Sequence, residues 1–169
     1  MKNIILIGFM GSGKSTVGKF YANKNNMKQI DTDLYIENKQ NRKVSEIFAS
    51  DGEEAFRMME TDCIRDLLNQ THERYVVSVG GGLPMREINR RLLHELGVIV
   101  YLKADISTLE KRLSGDKKRP LLQGGNLHDK IASLMEQRES VYEELADLVI
   151  KTDNKSFEKI EEEIKRGIG

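Results

Sequence analysis

The sequence is poor in residues that stabilise small secreted proteins. Its 169 residues include one cysteine, two prolines and no tryptophan. A single cysteine excludes an internal disulfide and is typical of a reducing compartment, so we expect a cytoplasmic location. Cys63 lies in a helix-patterned stretch with no histidine near it in the sequence, so we interpret it as a small core residue rather than a reactive thiol.

The sequence also lacks a net charge and a long apolar run. Lys and Arg number 27 and Asp and Glu number 27, so the formal net charge is zero. Proteins that bind nucleic acid or a membrane surface through charge need a basic surplus, and we predict neither partner. The apolar run IILIG, which begins at residue 4, is too short for a signal core. We therefore expect the chain to begin at Met1 without a targeting segment.

Short apolar runs alternate with long helix-patterned stretches. The runs are NIILIG (3–8), MKQID (27–31), YVVSVG (75–80), VIVYL (98–102) and DLVIK (147–151). This alternation predicts an α/β fold, in which a parallel sheet carries helices on both faces. No linker, repeat or low-complexity tract interrupts it, so residues 1–169 are expected to form one domain.

Three helices and one loop can be placed from local pattern. We predict helices over 14–25, 51–70 and 156–166, and in the second of these Asp51 is the expected N-cap with Glu54 at the N3 position. The stretch SGDKKRPLLQGGN (114–126) combines consecutive basic residues with proline and glycine, which favours a mobile loop. A solvated surface loop is the alternative interpretation.

The stretch GFMGSGKST (8–16) has the spacing of a phosphate-binding loop between a strand and a helix. Its glycines allow several backbone N–H groups to point at phosphate oxygens, and the following helix N-terminus adds partial positive charge. Lys14 is expected to reach the β- and γ-phosphates, and the Ser15 hydroxyl to bind Mg²⁺. The residues predicted to bind ATP here are Gly11, Ser12, Gly13, Lys14, Ser15 and Thr16.

Asp31 and Asp33 follow the second apolar run and, if both lay on the strand, would point to the same side. Because ligands collect at the carboxyl ends of parallel strands, we expect Asp31 to act on Mg²⁺ through water and Asp33 to face a second substrate. The alternative is a pair of turn or capping residues, with Asp33 capping a helix that begins at Leu34.

Several segments, in order, resemble shikimate kinase, a family of the nucleoside monophosphate kinase-like P-loop fold. They are GFMGSGKSTVG, DTDLYIE, VSEIFASDGEEAFRMME, VVSVGGG, VYL, LEKRL, RPLL and LMEQRESVYEELAD. The resemblance implies a three-layer fold with a five-stranded parallel sheet, a substrate-binding region at about 32–60 and a mobile lid at about 112–125. It also implies a monomer that transfers the γ-phosphate of ATP to the 3-hydroxyl of shikimate with Mg²⁺, in aromatic amino acid biosynthesis.

The resemblance also implies roles for individual residues. Arg57 and Arg138 match the family's carboxylate-binding arginines, and Glu60, one helical turn after Arg57, is placed to orient it. Asp33 matches the group that orients the substrate hydroxyls and secondarily acts as general base. Residues bordering the substrate also include Gly80, Gly81 and Gly82, whose missing side chains would let substrate approach backbone N–H groups.

Two arginines match nucleotide-side positions of the family. Arg119 matches the lid arginine that reaches the transferring phosphoryl group, which makes it catalytic together with Lys14 and Asp33. Arg112 matches an arginine that packs on adenine. Read without the resemblance, Arg57 is a surface residue in a helical ion pair and Arg112 an exposed helix charge.

Some positions depart from the family pattern. Asn41 stands where glycine is usual, and asparagine tolerates left-handed geometry, so we expect the turn to survive. Phe157 stands where proline is frequent, which puts the adenine contact of that loop in doubt. His72, His94 and His128 show no metal-ligand spacing. The alternatives are another small-metabolite kinase such as a gluconate kinase, a nucleoside monophosphate kinase, or a non-catalytic nucleotide-switch module.

Overall fold

A computed structural model describes residues 2–70 and 73–169, so His72 lies outside the described residues. The strands among the described residues are β1 Asn3–Ile7, β2 Lys28–Asp31, β3 Tyr75–Ser78, β4 Gly97–Lys103 and β5 Leu148–Lys151. These five strands form one parallel sheet in the order β2-β3-β1-β4-β5. The predicted strands are therefore confirmed, with small differences at their ends.

In the part of the chain that the structure describes, eight α-helices connect or follow these strands. They are α1 Lys14–Lys24, α2 Thr32–Gln40, α3 Val44–Asp51, α4 Glu53–Leu68, α5 Glu87–Leu96, α6 Ile106–Leu113, α7 Leu127–Leu145 and α8 Phe157–Ile168. Single 3₁₀ turns lie at Leu83–Met85 and Pro120–Leu122. The second of these turns belongs to the segment between α6 and α7 that was predicted as a loop.

The central strand β1 divides the core into two clusters. Ile4 and Leu6 pack with apolar residues of α1 and α8, whereas Ile5 and Ile7 pack with residues of α4, α5 and α7. Successive side chains of a strand point to opposite faces, so an unbroken apolar run can fill both faces of a sheet. This confirms the predicted α/β architecture with helices on both faces.

The predicted cap at Asp51 is wrong. The helix predicted over 51–70 is present as α4, but it begins at Glu53, because α3 ends at Asp51 and Gly52 lies between the two helices at φ 87°. The Asp51 carboxylate instead accepts two hydrogen bonds from the Arg42 guanidinium, and Glu54 pairs with Arg86. The left-handed backbone of Gly52 separates α3 from α4, and apolar periodicity alone does not reveal this boundary.

Asp31 and Asp33 do not share a strand. Strand β2 ends at Asp31, which is the N-cap of α2, and Asp33 lies in the first turn of that helix. The helix therefore begins at Thr32 rather than at Leu34, and the capping residue is Asp31 rather than Asp33. At the other end of α2, Asn41 has φ 52°, which confirms the left-handed turn predicted there.

Cys63 lies in the core, as predicted. Cys63 is buried in α4, and burial, followed by the nearby Asp66 carboxylate, raises the pKa of its thiol to about 12. The thiol is therefore protonated at neutral pH, as expected of a core residue.

Within residues 2–70 and 73–169, none of the helices has the length and apolar character needed to cross a membrane.

Candidate active site

Lys14 is the central cation of the loop between β1 and α1. Its side chain is 9% exposed, and its Nζ donates hydrogen bonds to the carbonyl oxygens of Gly8 at 2.8 Å and Phe9 at 2.9 Å. Burial lowers the pKa of Lys14 to about 8, while the carboxylates of Asp33 and Asp31 oppose that shift. The ammonium group is thus held inside the loop that the sequence predicts to bind phosphates.

Gly13 sets the geometry at the start of α1. Its φ of 94° is a left-handed conformation that favours glycine, and it immediately precedes the helix. The first N–H groups of α1, which follow Gly13, have no acceptor within the helix. Such a helix start is an anion-binding arrangement.

Ser15 and Asp31 face each other across the gap between α1 and β2. The Ser15 hydroxyl donates a hydrogen bond to Oδ2 of Asp31. The Oδ1 of Asp31 accepts from the backbone N–H groups of Asp33 at 3.0 Å and Leu34 at 3.3 Å. One oxygen of Asp31 is therefore engaged by the start of α2, and the other contacts the phosphate-binding loop.

A cleft of about 410 Å³ lies above this loop. Every residue predicted to bind nucleotide or metal borders it: Gly11, Ser12, Gly13, Lys14, Ser15, Thr16, Asp31, Arg112 and Arg119. Arg112 donates from Nη1 to the carbonyl oxygen of Gly11 at 3.0 Å. Phe157 also lines the cleft, so this departure from the family pattern still supplies an apolar side chain there.

A smaller pocket of about 80 Å³ adjoins the cleft. It is lined by Met10, Asp33, Val44, Phe48, Phe56, Arg57, Glu60, Gly80, Gly81, Gly82, Arg119, Pro120, Leu121 and Arg138. Asp33 and Arg119 border both cavities. A small molecule in this pocket would therefore lie beside the phosphates of a nucleotide in the cleft.

Arg57 is held by carboxylates on its own helix. Its Nη1 donates to Oε2 of Glu60 at 2.8 Å and its Nη2 to Oε1 of Glu53 at 3.2 Å. Burial acts to lower the pKa of Arg57, but the Glu60 and Glu53 carboxylates outweigh it and the net shift is upward. The guanidinium stays charged at the pocket wall, where the predicted orienting contact with Glu60 is present.

Arg138 comes to the same pocket from helix α7. The residue is 5% exposed, and its guanidinium carbon lies 5.8 Å from the ring centroid of Phe9. Its Nη1 is buried and has no hydrogen-bond acceptor among residues 2–70 and 73–169. A buried cationic donor without an acceptor is costly, so the site is suited to an anionic ligand.

The carboxyls of Asp33 and Glu60 are also incompletely bonded. Oδ1 of Asp33 and Oε1 of Glu60 are buried and have no donor within the described part of the chain. Burial, followed by repulsion from Asp31, raises the pKa of Asp33 to about 6, against the opposing charge of Lys14. Burial raises the pKa of Glu60 to about 7 despite the Arg57 charge. Perturbed carboxyls at a cleft are typical of a functional site.

Arg119 lies in the segment between α6 and α7. Its guanidinium pairs with the Asp116 carboxylate, and Oδ1 of Asp116 also accepts from the backbone N–H groups of Lys118 at 2.9 Å and Arg119 at 3.1 Å. These contacts form a turn that places the Arg119 side chain between the two cavities. The role of Arg119 as a lid arginine stays a prediction.

Comparisons with known proteins identify the family to which this chain belongs. A family model described as shikimate kinase matches residues 10–168. A shikimate kinase of Sulfurihydrogenibium sp. is 46% identical over 164 residues, which cover 97% of this chain and 96% of that protein. The chain belongs to the shikimate kinase family. A Bacillus mycoides shikimate kinase is 40% identical over 168 residues, covering 99% of each.

Solved structures agree with this family assignment. A shikimate kinase from Acinetobacter baumannii in complex with shikimate superposes with a TM-score of 0.94 at 33% identity, over 99% of this chain and 93% of that one. A shikimate kinase from Aquifex aeolicus gives 0.84 at 32% identity, over 98% and 95%. A gluconokinase from Sinorhizobium meliloti gives 0.63 at 17% identity, over 99% and 91%, which shows a shared fold alone.

Membership of the shikimate kinase family confirms the predicted fold, enzyme class and function. The chain is an ATP-using phosphotransferase with shikimate kinase activity, and its substrates are small molecules. The reaction is a step in aromatic amino acid biosynthesis. The gluconokinase shares the fold alone at 17% identity, so the alternative with a gluconate acceptor gains no support beyond the fold.

Sequence reasoning did not find several residues of the second pocket. Met10, Val44 and Phe48 line it, yet nothing in their local sequence distinguishes them from core residues. Tyr142 was also missed, although its hydroxyl donates to the carbonyl oxygen of Gly81. Met10 lies inside the phosphate-binding loop, which was the one available signal that it faces a ligand.

The oxygen donors near Ser15 fit a magnesium ion. The Ser15 hydroxyl and Oδ2 of Asp31 are hydrogen-bonded to each other at the cleft wall. Over residues 2–70 and 73–169 there is no cluster of three or more His, Cys, Asp or Glu side chains that could hold a metal by themselves. Mg²⁺ is usually bound by one or two protein oxygens together with substrate phosphates and water, so the donor set is appropriate.

Proposed function

We propose that the larger cleft binds ATP, that the adjoining pocket binds shikimate, and that the γ-phosphoryl group passes to the 3-hydroxyl of shikimate. The observation that carries this proposal is the convergence of buried polar atoms without partners, on Asp33, Glu60 and Arg138, around one small pocket beside the phosphate-binding loop. Shikimate has a carboxylate at one end and hydroxyls at the other, and these complement cationic and acidic walls.

Arg57 and Arg138 are proposed to bind the substrate carboxylate. Each guanidinium is a planar, permanently charged donor that suits a carboxylate better than an ammonium group does. Arg138 has an unused buried donor, and Arg57 is oriented by Glu60. Two arginines from separate helices would hold the ring in one orientation, so that a particular hydroxyl faces the phosphates.

Asp33 is proposed to accept a hydrogen bond from the reacting hydroxyl, and secondarily to take its proton. The carboxyl borders both cavities and has an unbonded buried oxygen. Lys14 would hold the β- and γ-phosphates, and Arg119 would approach the transferring group when the lid closes. Phosphoryl transfer depends mainly on such positioning and charge neutralisation.

Ser15 and Asp31 are proposed to hold Mg²⁺ at the cleft wall, Asp31 through a bound water. The ion, when bound, would neutralise phosphate charge and help to orient the γ-phosphate. Arg112 is proposed to pack on the adenine ring, from the position at which it now bonds Gly11. The residues from Gly11 to Thr16 would surround the phosphates.

Larger-scale features are also proposals. Residues 1–169 are proposed to form a single kinase domain, with the substrate-binding region at about 32–60 and a mobile lid at about 112–125. The protein is proposed to act as a cytoplasmic monomer that binds neither nucleic acid nor membrane. Sedimentation at micromolar concentration checks the monomer, because a dimer would double the measured mass.

The decisive experiment is a coupled assay of ADP release with a panel of acceptor alcohols. Purified protein with ATP and Mg²⁺ is expected to release ADP rapidly with shikimate and only at background rate with gluconate or a nucleoside monophosphate. A shikimate analogue that lacks the carboxylate serves as the matched control and is expected to be a poor acceptor. Equal turnover with gluconate would contradict the proposal.

A further inference from the structure

Three glycines follow strand β3, and each lies against a charged side chain of the substrate pocket. A Cβ atom at Gly80 would lie 2.9 Å from Oε1 of Glu60 and 3.0 Å from Oδ1 of Asp33. One at Gly81 would lie 3.2 Å from Nη1 of Arg138. Side chains of the protein itself thus lie close to the positions that β-carbons of these glycines would occupy. All three glycines also line the pocket, and the expected approach of substrate to their backbone N–H groups stays a prediction.

The closest approach is at Gly82. A Cβ there would lie 2.5 Å from Nη2, 2.6 Å from Cζ and 2.6 Å from Nη1 of Arg57. Nearly equal distances to three atoms of one planar group mean that the guanidinium lies flat over the glycine. Contacts this short do not occur for real carbon atoms, so no side chain fits while Arg57 keeps its position.

Backbone conformation does not explain the glycine. Gly82 has φ −89° and ψ −11°, a right-handed conformation that does not require glycine. Gly80 and Gly81 likewise have no positive φ. Gly13 differs, because its left-handed conformation requires glycine. At position 82 the need is for space alone, and the group that uses the space is the Arg57 guanidinium.

We propose that Gly82 is a positioning residue, whose missing side chain forms a slot that seats the Arg57 guanidinium flat for binding the substrate carboxylate. The inference rests on the proposed role of Arg57. It adds an explanation of how the guanidinium is kept in the orientation that binds the substrate carboxylate. Glu60 accepts from Nη1 at 2.8 Å, Glu53 accepts from Nη2 at 3.2 Å, and Gly82 supports the face of the guanidinium. Because a guanidinium has five N–H donors, several remain for a ligand.

Alanine at position 82 is expected to displace Arg57 rather than the backbone, because a long side chain moves more easily than the turn after β3. A displacement of about 1 Å is enough to weaken a two-point contact by about 10- to 100-fold. Gly82→Ala should therefore raise the KM and Kd for shikimate about 10-fold or more, with the Kd for ATP changed less than about twofold.

A double-mutant cycle with Arg57→Ala tests the inference. If Gly82→Ala acts only by displacing the guanidinium, then adding it to Arg57→Ala should leave the Kd for shikimate unchanged, because the colliding group is gone. Gly167→Ala is the matched control, since its Cβ would lie 2.5 Å from a Leu148 side-chain carbon, away from the site. That variant is expected to bind both substrates normally.

The outcomes separate the two proposals. If Arg57→Ala leaves shikimate binding unchanged, the proposed role of Arg57 fails. If Arg57→Ala weakens shikimate binding but Gly82→Ala does not, the proposed slot at Gly82 is wrong. The same conclusion holds if the double variant raises the Kd for shikimate by the full product of the two single effects. If Gly82→Ala alone fails to fold, the double variant decides: folding restored by Arg57→Ala supports the slot, and continued failure overturns it.

Discussion

The hydroxyl of Ser15 donates a hydrogen bond to the Asp31 carboxylate and so connects the phosphate-binding loop to the end of strand β2. The second carboxylate oxygen accepts two backbone N–H groups at the start of α2. One side chain thus contributes to helix capping and faces the predicted magnesium site. These two contributions can be separated by mutation, because they depend on different properties of the carboxylate.

Asp31→Asn should retain the helix cap and weaken magnesium binding. Asparagine is as good an N-cap as aspartate, so the free energy of unfolding should change by less than about 0.5 kcal/mol. Loss of the negative charge should raise the Mg²⁺ concentration needed for half-maximal turnover severalfold. Urea denaturation and a magnesium titration of ADP release measure the two effects.

Asp31→Ala is the comparison variant. It removes the cap as well as the charge and should lose about 0.5–2 kcal/mol of stability. An Asp31→Asn protein that requires no more Mg²⁺ than the wild type would contradict a role for Asp31 in metal binding.

Arg57→Ala should weaken shikimate binding far more than ATP binding. Removing one partner of a desolvated charge pair costs about 2–5 kcal/mol, because the remaining charge stays unpaired. Calorimetric titration with each ligand measures the difference. Arg65→Ala on the same helix is the control, since Arg65 pairs with Asp62 in an exposed ion pair. Unchanged shikimate affinity in Arg57→Ala would disprove the assignment.

The pH profile should report the titration of Asp33. Its pKa is raised to about 6 by burial and by Asp31, so the carboxylate takes up a proton as the pH falls through about 6 and can no longer accept from the hydroxyl. The kcat/KM for shikimate should therefore fall on the acid side, while the Kd for ATP changes little. The fall of kcat/KM at acid pH should persist in the Glu60→Gln variant. It should be absent from the residual activity of the Asp33→Asn variant. A flat wild-type profile from pH 7.5 to 5 would exclude Asp33 as the titrating group.

Much of the fold followed from local pattern. The strand at Asn3–Ile7 and the loop around Lys14 were predicted correctly, because buried strands and phosphate-binding loops have short, contiguous signatures. The N-cap of α4 was misplaced at Asp51, because α3 ends there and only Gly52, at φ 87°, separates it from α4. The start of α2 was displaced for a similar reason, since strand end and helix cap coincide at Asp31.

The candidate site was less predictable than the fold. Resemblance to a family pointed to Arg57, Arg138 and Asp33, which lie on different helices and meet only in the folded chain. Their burial and unbonded atoms depend on packing between elements, so no sequence pattern expresses them. The contact of Gly82 with the Arg57 guanidinium is of this kind, because it joins residues that are distant along the chain.

Limited trypsin digestion should detect lid closure. Lys117 and Lys118 are exposed in the segment between α6 and α7, and this segment is expected to be cut in the free protein. ATP analogue and shikimate together should slow that cleavage more than either ligand alone, since Arg119 faces both cavities. Identical cutting rates with and without both ligands would contradict a closing lid.

Glu161 should stabilise the protein in a pH-dependent manner that is unrelated to activity. Its carboxylate, buried between α1 and α8, pairs with Lys24 at 3.0 Å and Lys165 at 2.7 Å. Burial acts to raise its pKa, but the hydrogen bonds from Lys165, Lys24 and Asn25 outweigh burial and lower the pKa to about 2.

Because the folded-state pKa is below the ordinary value of 4.5, the stabilisation is fully present above about pH 4.5 and is lost as the pH falls towards about 2. Glu161→Gln should therefore lose about 1.5–3 kcal/mol at pH 7, and the difference from the wild type should shrink between pH 4.5 and 2. Urea denaturation at several pH values measures this. Glu162→Gln, at the exposed neighbouring position, should show little effect, and an equal loss in both variants would refute a specific contribution from Glu161.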